Sequence, residues 1–166
     1  TPFSLSAFFE ETAKNYTLLS KKRQLRFVTR FSGLDTIVKG DWAHLQQIIN
    51  NLLSNALKFT DKGIIVLVAE YHNEELLFSV QDSGSGMTAE DKERIFNAFE
   101  RLENAKNTPG FGLGLAITTQ LVKRMNGEIT VESQPGRGST FSVFLSLSAA
   151  DGNSYLEEAK PVTDYQ

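Results

Sequence analysis

"NNLLSNALKFTDKG", residues 50–63, sets three asparagines and Lys58 into a stretch that otherwise reads as a buried helix. Asparagine is a mediocre helix former, because its amide competes for nearby backbone groups and favours caps and turns. Two of them in mid-helix need a reason. At about 100° per residue, Gln47, Asn51, Asn55 and Lys58 fall on one narrow stripe, while Ile49, Leu52, Leu53, Ala56 and Leu57 cover the opposite side. Ile48 and Phe59 edge the stripe with apolar surface. Two carboxamides and an ammonium pointing the same way suit a negatively charged ligand or its metal. The same stripe also fits an ordinary solvated helix face, and the helix alone leaves both readings open.

Around this helix, the hydrophobic pattern predicts the remaining elements. "SLSAFFEETAKNYTLLSKKR" carries apolar residues at helical spacing behind a Ser cap, with Glu10 and Glu11 early and Lys21 to Arg23 late, as the helix dipole favours. "LRFVTRF" alternates like a strand, and "DTIVKGD" is a short extended piece leading to Asp41, an N-cap candidate. "GIIVLVAEYHNEELLFSVQD" reads as a hairpin around His72-Asn73-Glu74. "TAEDKERIFNAF" reads as a short helix with a capping box at Thr88 and Asp91. "GLAITTQLVKRMNG" is amphipathic and stops at Asn126-Gly127, and "EITVESQPGRGSTFSVFLSL" is a second hairpin. Strands gather into pairs rather than alternating strictly with helices. The fold class expected is α+β, a two-layer sandwich with helices on one face of a mixed sheet. The domain is expected over 1–147, and the polar segment 148–166 reads as a linker or tail.

Composition narrows the function classes. A chain of 166 residues with 40% hydrophobic content is expected to form one domain with a substantial core. A net charge of -3 gives no general attraction to nucleic acid or to an anionic membrane, and the absence of cysteine excludes disulfides and thiolate metal sites. No run approaches the length of a membrane span, so a cytoplasmic domain is expected. A membrane-anchored parent protein stays compatible with that reading.

Two glycine-rich stretches follow the central helix. "DSGSGM" ends a strand, placing Asp82 at a sheet edge, with Gly84 and Gly86 allowing a tight turn close to a flat ligand. A carboxylate there can accept from an exocyclic amine, although a plain strand-ending turn has the same signature. "PGFGLGLAI" opens a helix with Gly110, Gly112 and Gly114 at alternate positions, so that bare amides at a helix N-terminus offer an anion site; a hinge before a helix is the competing reading. The spacing is neither a Rossmann fingerprint nor a Walker loop. Between the two stretches, "IFNAFERLENAKNTP" puts Phe96 and Phe99 on one side, followed by a polar segment suited to a mobile lid.

Taken together, these stretches resemble the catalytic ATP-binding domain of bacterial two-component sensor histidine kinases, of the GHKL superfamily that includes gyrase, Hsp90 and MutL. The resemblance runs from about Pro2 to Leu147 and implies the Bergerat-type ATP-binding fold. The helix of the opening stretch resembles the N box, "DSGSGM" the G1 box, "IFNAF" the F box, "GFGLGL" the G2 box and "GRGSTF" the final glycine motif. All five stand in family order. The resemblance implies ATP and Mg²⁺ as cofactors: Asn55 would give its side-chain oxygen to Mg²⁺, Asn51 would sit beside the phosphates and Lys58 would contact a phosphate oxygen. One neutral amide suffices, since Mg²⁺ keeps waters and phosphate oxygens as its other ligands. Asp82 would read the adenine amino group with Thr140 nearby, and Gly112 and Gly114, flanking Leu113, would present amides to the phosphates. The segment 97–111 would be the ATP lid, with Arg101 approaching the γ-phosphate.

Departures from the pattern also carry information. Phe111 stands where the G2 box commonly has a small residue, and the lid is short. The helical domain bearing a phosphoacceptor histidine is not in this sequence; His44 and His72 read as surface residues outside any H-box context. The implied function is transfer of the γ-phosphoryl group of Mg·ATP to a histidine on a separate helical dimerisation and phosphoacceptor domain. A response-regulator receiver domain is a second candidate partner, and the isolated domain is expected to be a monomer. Two alternatives stand beside it: a GHKL-type ATPase, and a non-catalytic nucleotide-binding regulatory module. Asn51 occupies the place where the gyrase and Hsp90 branch carries a glutamate base, and an amide cannot take a proton from water, which favours transfer over hydrolysis.

Overall fold

In the computed structural model, residues 2–84 and 112–150 are described. Helix α1 (Leu5–Lys22) follows a three-residue strand, β1 (Pro2–Ser4). Ser4 caps α1 by accepting from the Ala7 N–H at 3.1 Å, which satisfies one of the donors that a helix start leaves unpaired. The helix ends in a Schellman motif: Gln24 takes φ 61°, and Leu25 and Gln24 donate to the carbonyls of Ser20 and Lys21. Strands β2 (Arg26–Ser32) and β3 (Ile37–Lys39) lead to α2 (Trp42–Phe59), whose cap, Asp41, accepts from the His44 N–H at 3.1 Å. The imidazole of His44 folds back onto the same carboxylate at 2.9 Å.

Strands β4 (Ile64–His72) and β5 (Glu75–Asp82) form the first hairpin. Its turn lies at Asn73 and Glu74, both at positive φ, so His72 ends β4 rather than sitting in the turn. Helix α3 (Gly112–Arg124) is followed by β6 (Glu128–Gln134) and β7 (Gly138–Ser146). The stop predicted at Asn126-Gly127 is a second Schellman motif, with Asn126 at φ 58° and the Gly127 N–H donating to Val122.

The main sheet has the order β2-β4-β5-β7-β6. β2 runs parallel to β4, and the other three pairings are antiparallel, so the sheet is mixed. A parallel neighbour requires a crossover, and α2 with the segment before it provides one. Side chains alternate faces along a strand. Ile65, Leu67 and Ala69 of β4, Leu76, Phe78 and Val80 of β5, and Phe141, Val143 and Leu145 of β7 are buried beneath the helices. The opposite face carries Gln81, Thr140, Glu132 and other polar or part-exposed residues. Rings knit α1 to this core: Phe9 lies 5.1 Å from Phe8, 5.7 Å from Phe31 and 6.0 Å from Phe78, centroid to centroid. The two-layer α+β sandwich expected from the sequence is the architecture found.

Two local features differ from expectation. β1 was not anticipated; it pairs antiparallel with β3 in a small separate sheet. Residues 148–150, expected to begin the tail, extend that sheet instead: Ala149 bridges Val38, and the Ala150 N–H donates to Ile37. Backbone groups satisfied in this way hold the chain whatever its side-chain polarity. The short helix expected over 88–99, the lid 97–111 and the remaining tail lie outside the described residues.

Candidate functional site

Helix α2 presents the stripe of Gln47, Asn51, Asn55 and Lys58, as its periodicity required. Ile48, Ile49, Leu52, Leu53 and Ala56 are buried on its other sides, while Asn51 and Asn55 are half-buried and Lys58 is exposed. Asn51 is tied down: its Nδ2 donates to Thr118 Oγ1 of α3 at 3.0 Å. This bond sets the polar stripe against the helix that begins with Gly112, Leu113 and Gly114. Asn55 is different. Its Nδ2 is buried and makes no hydrogen bond within the described structure. A buried polar atom without a partner costs about 1–3 kcal/mol, so this residue is not there for the fold. Lys58 Nζ lies 5.5 Å from the centroid of the exposed Phe59 ring.

The C-terminal end of α2 meets the end of β5. Arg23, at the end of α1, donates from its guanidinium to the carbonyls of Leu57 and Thr60 and pins this end in place. Asp82 closes β5, and its Oδ1 accepts from the Gly84 N–H at 2.9 Å. Gly84 cannot be larger: a Cβ there would stand 2.6 Å from the Phe59 carbonyl oxygen, 2.9 Å from Asp82 Oδ1 and 3.2 Å from Thr60 Oγ1. Gly138, at φ 102°, packs against the backbone of Asp82 from the other side. The carboxylate therefore sits in a notch with the Gly84 N–H and the Thr60 hydroxyl at the end of α2, on a backbone that Gly138 approaches closely.

Burial pushes the Asp82 carboxyl above the usual carboxylate value of 3.8, while the backbone N–H groups of Gly84 and Ser139 and the Thr60 hydroxyl draw it part of the way back. The Thr60 hydroxyl exerts that pull without a hydrogen bond of good geometry to any described residue. A carboxylate has about four lone-pair sites, so Asp82 can accept from an amine as well as from the Gly84 N–H.

Thr140, expected beside Asp82, is turned away from it. Asp82 pairs with Ser139, and Thr140 pairs with Gln81 and Glu132. Strand alternation puts Ser139 on the buried side with Phe141 and Val143, and Thr140 on the other face with Ser142 and Phe144. The residue opposite Asp82 is thus Ser139, whose hydroxyl is 2.8 Å from Ser133 Oγ. Sequence reasoning missed Ser139 and Thr60, because only strand register and the end of α2 bring them to the carboxylate.

Of the other predicted residues, Gly112, Leu113 and Gly114 form the first turn of α3, where helix amides have no intrahelical partner. Gly86, Phe96, Phe99, Arg101 and Gly110 lie outside the described residues. His44, with 43% of its side chain exposed, and His72 are on the surface. Among the described residues, no cluster of three or more His, Asp or Glu side chains is placed to hold a metal. A hard cation here would take its oxygens mainly from a ligand, with an amide oxygen such as Asn55 Oδ1 alongside, and the half-buried Asn55 on the polar stripe is of the right chemistry for that. No described helix is long and apolar enough to cross a membrane.

Comparison with known proteins places the chain in a family. Residues 40–149 match the family model described as histidine kinase-, DNA gyrase B- and HSP90-like ATPase. The chain is 38% identical over 151 residues to the sensor histidine kinase RcsC of Escherichia coli K12, covering 89% of this chain and 16% of RcsC. It therefore spans about one sixth of the length of that relative. Among solved structures, full-length ShkA in complex with AMPPNP superposes with a TM-score of 0.77 at 27% identity, covering 92% of this chain and 32% of that one. A nucleotide-free catalytic domain of the histidine kinase ThkA superposes with a TM-score of 0.73 at 27% identity, covering 88% of this chain and 96% of that one. The chain belongs to the histidine kinase-, DNA gyrase B- and HSP90-like ATPase family and has the fold of the catalytic domain of a sensor histidine kinase.

Proposed function

We propose that this chain binds Mg·ATP in the notch between α2, the end of β5 and the start of α3, and donates the γ-phosphoryl group to a histidine on a separate helical domain. The observation that carries this reading is the pairing of an acceptor carboxylate, Asp82, with a polar helix stripe whose Asn55 Nδ2 has no partner among the described residues. Asp82 would accept from the adenine amine, and the Gly84 and Gly138 backbones would let a flat base approach closely. Asn51 and Lys58 would face the phosphates, with the free amides of Gly112 and Gly114 at the positive end of α3. Asn55 would hold Mg²⁺, which neutralises phosphate charge when bound. Gly86, in the turn after Asp82, with Phe96, Phe99, Arg101 and Gly110 would belong to the same proposed site, Arg101 toward the γ-phosphate; all five lie outside the described residues.

Phosphoryl transfer asks the protein for positioning and charge neutralisation more than for covalent chemistry. Asn51, on the stripe that would face the phosphates, is an amide already engaged with Thr118 and is no general base for water. Transfer is therefore favoured over hydrolysis. The acceptor would come from a helical dimerisation domain, and a receiver domain would take the phosphoryl group onward. The test is to incubate the chain with its helical domain and γ-labelled ATP. Acid-labile label on histidine supports transfer; free phosphate alone supports an ATPase; tight binding with neither supports a regulatory module.

A further inference from the structure

Thr60 terminates α2 and is completely buried, yet its hydroxyl has no hydrogen-bond partner among the described residues. A buried hydroxyl left in this state costs stability, and valine would fill the same volume without that cost. Its position points to its use. Thr60 Oγ1 and Asp82 Oδ1 both crowd the Gly84 Cα, at 3.2 and 2.9 Å from where a Cβ would stand, so the hydroxyl and the carboxylate share one notch. Arg23 clamps the Thr60 carbonyl, which holds the residue there independently of its side chain.

We propose that Thr60 is a positioning residue of the base pocket: its hydroxyl donates to the Asp82 carboxylate and holds that carboxylate in its accepting form, aimed at an amino group of the bound base. The inference rests on the reading of Asp82 as the adenine acceptor. A carboxylate can only accept, so a hydroxyl facing it must donate. A protonated Asp82 keeps its carbonyl oxygen as an acceptor but loses the charge that strengthens the bond from the amine, so recognition weakens. The groups set against the carboxylate are Thr60 from the end of α2, Gly84 from its own turn and Ser139 from β7; no charged side chain among the described residues contributes. Thr60 is the one side chain in that set. Losing its hydrogen bond moves Asp82 toward the protonated form.

The experiment compares wild type with Thr60→Val, Thr60→Ser and Asp82→Asn, measuring ATP affinity by calorimetry across pH and the Asp82 carboxyl titration by carbon NMR without nucleotide. Thr60→Val is expected to bind ATP about tenfold more weakly near neutral pH, the size of one lost hydrogen bond to a charged group. Its Asp82 titration and the acid limb of its binding curve are expected to move to higher pH, and Thr60→Ser to restore both. Thr60→Ala replaces Thr60→Val if the latter does not fold. A Thr60→Val protein with wild-type titration and affinity overturns the role of Thr60, while weak binding by Asp82→Asn in the same series keeps the adenine reading. Full ATP affinity in Asp82→Asn overturns both.

Discussion

Asn51 Nδ2 donates to Thr118 Oγ1 across 3.0 Å, joining the polar stripe of α2 to the buried face of α3. Through this bond, the helix carrying the polar stripe and the helix whose first turn has free N–H groups hold a fixed relation. The proposed phosphate site needs both helices.

Thr118→Val keeps the shape and removes the acceptor, leaving the half-buried Asn51 amide without it. A loss of about 1–2 kcal/mol in unfolding free energy is expected, read from urea denaturation. ATP affinity should fall as well, because α3 is freed to shift against the stripe. Unchanged stability together with unchanged affinity would show that the bond contributes nothing to the site.

Asn55→Ala should separate stability from function. The variant deletes a buried Nδ2 that bonds to no described residue, so the fold is expected to keep its stability or gain up to about 1 kcal/mol. Mg²⁺-dependent ATP binding should weaken sharply in the same protein. Thermal melts beside calorimetry with and without Mg²⁺ check both halves. Marked destabilisation, or Mg²⁺ dependence equal to wild type, would sink the assignment.

Asp82 gives a pH signature with two opposite signs. Its carboxyl is raised by burial, so the folded chain holds that proton more tightly than the unfolded chain. The resulting stability is present below the ordinary value of 3.8 and is lost as pH rises through the raised folded value. If Asp82 reads adenine as proposed, its ionised form accepts more strongly, so ATP affinity should rise over that same interval. Asp82→Asn removes both dependences, and subtracting its curves from those of wild type cancels the titration of ATP itself. Difference curves for denaturation and for binding, taken between about pH 4 and 7, should slope in opposite directions. Parallel slopes would contradict the account.

What the sequence made legible follows from how far each signal reaches along the chain. The α2 stripe and the two hairpins rest on spacings of two to four residues, so pattern alone exposes them. β1 is three residues long and has no room for alternation. The end of α1 places Gln24 at positive φ where a glycine was the expected sign. Choosing between the adjacent hydroxyls of Ser139 and Thr140 needs the register of β5 against β7, and a slip of one residue exchanges the faces. Thr60 gave no sign at all, since its role depends on a glycine 24 positions away coming within reach of the helix end.

Two glycines of one turn offer the sharpest contrast. Gly136 and Gly138 both have positive φ, at 79° and 102°, so alanine at either position is strained. Gly136 has nothing within 4 Å of a Cβ, and its replacement should cost only the backbone term, about 1 kcal/mol. At Gly138 a Cβ would stand 1.9 Å from the Asp82 carbonyl oxygen and 3.0 Å from Ser83 Cα. Those atoms are backbone and cannot rotate away. β5 and β7 must part at their ends, so Gly138→Ala is expected to cost about 2–4 kcal/mol. The displaced element carries the carboxylate, and ATP affinity should fall with stability, whereas Gly136→Ala should bind as wild type does. Denaturation and calorimetry on the two variants decide the matter: equal losses at both glycines would mean that close approach to Asp82 is not what Gly138 is for.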